Sequence, residues 1–256
     1  MIRPRTVPSS RLSRLAGFGR LAGGIAGNVL GGGAREVLKG QRPDLPSLLL
    51  TPANARRLAD ELARLRGAAM KLGQLISMDG GEVLPRELAD ILARLRAEAD
   101  PMPEKQLEQV LVSGWGQDWR GQFQRFDMAP IAAASIGQVH RAVALDGRDL
   151  AIKVQYPGVA ASIDADVDNV ATLVKLSGLL PASFALDPLL AEAKRQLHEE
   201  ADYAREGEML ARYGALAADW PEVVVPELAA DLSRPTILAM SHVKGVAIDK
   251  AAALPQ

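Results

Sequence analysis

The chain contains no cysteine, which excludes disulfides, thiolate metal sites and a cysteine nucleophile and fits a reducing compartment. Only 4% of its 256 residues are aromatic and Leu, Ala and Val dominate the apolar share, so the core is expected to be largely helix against helix. The three histidines, His140, His198 and His242, stand far apart, and none has the spacing of zinc ligands. Long hydrophobic runs are missing too. The uncharged, Gly-rich stretch 21–30 is interrupted by Asn28 and falls well short of the roughly 20 apolar residues of a spanning helix.

Net charge is nearly absent, at −1, but residues 1–42 carry eight bases (Arg3, Arg5, Arg11, Arg14, Arg20, Arg35, Lys39, Arg42) against one acid, Glu36. The arm is therefore +7 and the remaining body −8. Gly19, Gly23, Gly27 and Gly31 recur every fourth residue, which suits either a flexible linker or an arm that pairs with a helix or lies on an anionic membrane.

Hydrophobic composition of 48% is enough for a sizeable core. Pro43 and Pro46 close the arm, and Thr51 as N-cap with Pro52 at the first helical position opens a long helix. Leu58, Leu62, Leu65, Ala69, Leu72 and Ile76 form its apolar stripe, with Lys71 and Gln74 on the side away from it. Gly80 and Gly81 stop this helix, Pro85 opens a second, and a third is predicted over 103–112. From Phe123 the period changes, predicting strands over 123–131, 138–145 and 150–156, the last two joined by a two-residue Asp146-Gly147 turn. Helical spacing returns over 156–180 and again in one long helix over 187–216, with Asp187 as cap and Pro188 in its first turn; two strands, 222–228 and 235–241, follow.

In the strand 150–156, Ile152 and Val154 share one face while Ala151, Lys153 and Gln155 share the other. Lys153 is either an edge-strand lysine that blunts aggregation or a strand-borne lysine downstream of a phosphate-covering loop. The segments "KLGQ" (71–74), "AAASIGQVH" (132–140), "LAIKVQYPGV" (150–159) and "EADY" (200–203), in this order, resemble the UbiB-type atypical kinases, especially the branch tied to coenzyme Q biosynthesis. The resemblance runs from about residue 51 to the C-terminus. It implies an α+β, protein-kinase-like N-lobe, a small antiparallel sheet plus a long helix, with a helical N-terminal extension. The organisation is then a basic arm at 1–50, the extension at 51–122, and the N-lobe with a helical insertion at 123–256, ending at the hinge.

By the same resemblance Lys153 is the phosphate-positioning lysine and Glu206 its helix partner, while Ala132, Ala133, Ala134 and Ser135 form an alanine-rich loop in place of a glycine-rich one. Lys71 and Gln74 mark the extension that covers the pocket of a protein substrate, and Glu200 and Asp202 are the family's paired acids. In an unbroken helix Glu200 lies ~160° from Asp202, which shares a face with Glu206. Lys71 is therefore expected to pair with Glu200, or as second choice with Asp202. Each alanine adds a methyl group and narrows φ/ψ relative to glycine, so the loop should hold nucleotide in a different pose.

No histidine is followed two residues on by aspartate, and no Asp-Phe-Gly occurs, whereas a kinase needs both the catalytic-loop and the metal aspartate. The chain is thus expected to be the N-terminal part of a longer protein, with the C-lobe and its metal ligands outside it. The resemblance implies an ATP-dependent kinase or ATPase that uses ATP or ADP with Mg²⁺ and supports ubiquinone biosynthesis. Its expected partners are a lipid or quinone-pathway small molecule, quinone-biosynthesis proteins and an anionic membrane surface, with no nucleic acid, and its expected location is cytoplasmic with peripheral membrane association. The alternative is a non-catalytic pseudokinase scaffold or regulatory protein.

Overall fold

The computed structural model describes residues 101–177 and 185–246, together with positions 23, 27, 31, 38, 40, 67–69, 71 and 75. The expected second helix from Pro85, Gln74, and nearly all of the arm lie outside the described residues, although Gly23, Gly27 and Gly31 are helical and exposed. Among the described residues no helix is long and apolar enough to cross a membrane. The chain divides into two compact units whose segments interleave: 1–106, 133–137 and 156–201 form one, and 107–132, 138–155 and 202–256 the other.

The second unit contains the sheet. Helix α1 (Glu104–Trp115) buries Leu107, Val110 and Leu111, the i, i+3, i+4 spacing of one face. It ends at Gly116, whose φ of 89° lets its N–H return to the Val112 carbonyl at 2.8 Å. Strands β1 (Phe123–Phe126), β2 (Ala132–Ala133), β3 (Gly137–Ala144), β4 (Asp149–Gln155) and β5 (Ile237–Ser241) follow, hydrogen-bonded in the order β1-β3-β4-β5 with β2 also on β3. The β1–β3 and β4–β5 pairs are antiparallel.

The β3–β4 connection is longer by a residue than the sequence predicts. The Ala144 N–H donates to the Arg148 carbonyl and the Gly147 N–H to the Ala144 carbonyl, both at 3.0 Å, so Leu145, Asp146 and Gly147 form the loop. Gly147 takes the left-handed position of such three-residue hairpins, at φ 90°. The predicted strand 222–228 does not form either. Pro226 has no N–H to donate, and only Leu228 bridges to β5, opposite Met240.

Four of the ten aromatics gather in this unit, whose core sets helix and aromatic cluster against the sheet, whereas the helix-against-helix packing expected from composition is found in the first unit. Trp115, Trp119, Phe123 and Phe126 lie with ring centroids 5.0–6.3 Å apart, and Phe126 stacks on His140 at 5.5 Å. Gly114 is where α1 meets β5, since a Cβ there would lie 2.6 Å from Ile237 Cδ1.

In the first unit a short 3-10 turn, Ala160–Ser162, leads into α2 (Ile163–Ser177), which packs against α3 (Leu186–Ala201). Helix α3 begins one residue before Asp187, so this aspartate stands in the first turn instead of capping it. The single long helix predicted over 187–216 is two helices. Asp202 leaves helical geometry at φ −91°, ψ 87° and caps α4 (Tyr203–Leu216), its carboxylate accepting from the Arg205 N–H at 3.0 Å. A cap of this type satisfies a donor that a continuous helix would have paired through its own backbone.

Candidate nucleotide-phosphate site

Strand β4 lies between β3 and β5, which removes the edge-strand reading of Lys153. Its alternation holds where it matters, with Ile152 and Val154 fully buried and Lys153 half-buried, opposite Leu238 of β5. Helix α4 packs on β5, and it comes close because Gly207 has no side chain: a Cβ there would sit 3.1 Å from Leu228 Cδ1 and 3.3 Å from Leu238 Cδ1. One residue earlier, Glu206 reaches the lysine. Lys153 Nζ donates to Oε1 at 2.6 Å and to Oε2 at 2.7 Å. The lysine side chain is 15% exposed and the glutamate 34%.

Tyr203, buried at 1% exposure, puts its ring 4.7 Å from the same ammonium, a cation–π distance. The sequence motif contains this tyrosine, but only its position three residues before Glu206 on one helix face hints at the contact. A carboxylate and a ring thus fix a cation that keeps some access to water, an arrangement able to meet an incoming phosphate oxygen.

The first unit holds a second constellation. Lys71 Nζ donates to Glu200 Oε1 at 2.6 Å, and Ser135 Oγ donates to Glu200 Oε2 at 2.6 Å. Asp202, the second-choice partner of Lys71, is instead spent on its cap. Ala132 and Ala133 form the exposed strand β2, and the Ala134 N–H closes a turn onto the Gly137 carbonyl at 2.9 Å. No non-glycine residue among those described has positive φ. Alanine therefore carries no backbone strain in this loop.

His140 is a buried structural group. Its Nδ1 faces the Asp127 carbonyl at 2.9 Å and so donates, which leaves Nε2 to accept from the Gln138 amide at 2.8 Å. Burial holds its pKa below the ordinary value, outweighing the opposing hydrogen bond and charge of Asp127. Among the described residues no group of three or more His, Asp or Glu side chains is placed to hold a metal.

A small antiparallel sheet with a lysine on an inner strand, bonded to a glutamate of the helix packed on that sheet, is the N-lobe of a protein-kinase-like fold. Residues 94–256 match the ABC1 atypical kinase-like domain, and the chain belongs to that family. It is 42% identical to the atypical kinase coq-8, mitochondrial, of Caenorhabditis elegans over 98% of its length and 34% of the relative's. It is 40% identical to the atypical kinase COQ8, mitochondrial, of Saccharomyces cerevisiae, over 97% of this chain and 50% of that one. The chain thus spans between a third and a half of the length of these two relatives. Among solved structures, the Rv3197–erythromycin complex of Mycobacterium tuberculosis is 31% identical, covering 76% of this chain and 49% of that one at a TM-score of 0.46.

Proposed function

We propose that this chain supplies the nucleotide-binding N-lobe of an atypical ATP-dependent kinase or ATPase that supports isoprenoid-quinone biosynthesis. The observation that carries the proposal is the Lys153–Glu206 pair, bidentate and backed by the Tyr203 ring. Glu206 fixes the ammonium in one place, and a phosphate arriving there gains a charge-assisted hydrogen bond without the entropy of ordering a free lysine. Ala132, Ala133, Ala134 and Ser135 are assigned to the nucleotide by their resemblance to the family's loop, and Mg²⁺ is proposed with ligands outside this chain. The C-lobe, the acceptor and the partners belong to the whole protein. For the arm, the +7 charge supports attachment to an anionic membrane, each base near the surface contributing ~1 kcal/mol.

Isothermal titration of the full chain with ADP and with ATP tests the nucleotide reading. Saturable binding, weakened at least roughly tenfold by Lys153→Met, is expected. No saturable binding by wild type refutes it and leaves the scaffold alternative.

A further inference from the structure

Glu200 has two carboxylate oxygens, and each is taken by one donor from a different segment: Lys71 from the extension helix and Ser135 from the alanine-rich loop, both at 2.6 Å. A second contact joins the same two segments directly. A Cβ on Gly67 would lie 3.0 Å from the Ser135 carbonyl oxygen and 3.0 Å from Ile136 Cγ2, and Ala68 and Ala69 beside it are buried. Ile136 is 1% exposed, and its carbonyl accepts from the Tyr156 N–H at 2.9 Å. The loop is thus anchored on one side by backbone and on the other by a glycine face, with its only hydroxyl turned to Glu200.

We infer that Ser135 and Gly67 are positioning residues, through which the extension helix sets the conformation of the alanine-rich loop, with Glu200 as the shared anchor. The inference deepens the proposed function, because it rests on this loop meeting nucleotide. One carboxylate holding two donors cannot treat them independently. Loss of Lys71 frees the Glu200 side chain to turn toward water, and the Ser135 hydroxyl then loses its oriented acceptor. Gly67 acts by shape, since an added methyl meets a backbone carbonyl, which cannot swing aside like the end of a side chain.

The test is a double-mutant cycle of Lys71→Met and Ser135→Ala in the full chain, read by amide hydrogen exchange over residues 132–137 without nucleotide and by ADP affinity. Each single variant should speed exchange on the order of tenfold, and the double variant should add little to either. Ser135→Thr, which keeps the hydroxyl, should restore protection, and Gly67→Ala should speed exchange with the Glu200 bonds left in place. ADP affinity should shift on the order of fivefold in the two single variants alike and return in Ser135→Thr. Additive exchange effects, or failure of Ser135→Thr to rescue, would overturn the shared anchor. Unchanged ADP affinity in variants with fast exchange would overturn the positioning role. Absence of nucleotide binding in wild type sinks the positioning role together with the proposed function, whereas the exchange cycle judges the Glu200 anchor by itself.

Discussion

Replacing Glu206 by glutamine keeps the shape of the side chain and removes its charge. In wild type the ammonium of Lys153 has two bonds, at 2.6 and 2.7 Å, to a carboxylate that is 34% exposed. Hydrogen bonds to charged groups are worth about 1.5–3 kcal/mol when shielded, and exposed ion pairs at most ~1 kcal/mol. A pair between these limits should couple by about 1–2 kcal/mol. Glu206→Gln should cost more than Lys153→Met, because the lysine is the less exposed partner and would keep only a neutral acceptor and the Tyr203 ring, whereas a lone Glu206 can hydrate. Urea unfolding of wild type, both single variants and the double variant gives the coupling free energy directly. Lys175 and Asp187, 3.5 Å apart and 60% and 88% exposed, serve as the comparison pair and should show no measurable coupling. A Lys153–Glu206 coupling within the ~0.3–0.5 kcal/mol error of additivity would refute the claim that this pair is fixed, and with it the preorganised cation on which the phosphate site depends.

Asp202→Ala removes the cap between α3 and α4 and should lower stability by about 1 kcal/mol, with Asp202→Asn retaining most of it; equal urea midpoints for alanine and wild type would contradict the capping role. Gly114→Ala places a methyl against Ile237 Cδ1 and should cost about 1–3 kcal/mol by overpacking. Ile237→Val, which deletes that atom, should recover part of this loss, and additive midpoints in the double variant would show that the clash is not the cause. Burial lowers the folded-state pKa of His140 from 6.5, so below that value the unfolded chain takes up a proton that the folded ring refuses. This contribution to stability is complete above 6.5 and falls as the pH drops from there toward the folded pKa. Ring NMR at neutral pH should show the Nδ1–H tautomer, and an Nε2–H tautomer there would refute the assignment.

What the sequence determined is local. The alternation of β4 follows from a period of two, the face of α1 from 3.6, and the β3–β4 hairpin from Asp146-Gly147, since each depends on residues within about ten positions of one another. The ordered motifs also carried Lys153, Glu206, Lys71 and Glu200 through resemblance. The break at Asp202 was not legible, because apolar periodicity runs through it and a side-chain cap competes with the helix on nearly equal terms. Three consecutive valines over 223–225 have high strand propensity, yet a strand needs a partner, and β5 meets this segment only at its end, where the Glu227 carbonyl accepts from the Ser241 N–H and Leu228 stands opposite Met240. The inner place of β4, the gathering of the aromatic cluster, and the interleaving of the two units were decided by tertiary structure alone. So was the grouping of Lys71, Ser135 and Glu200, whose partners stand 129 and 65 residues apart. No period in the chain spans such distances; which side chains meet there depends on how Gly67 and its buried neighbours bring one backbone onto another, a fact of packing that exists only once the elements are assembled.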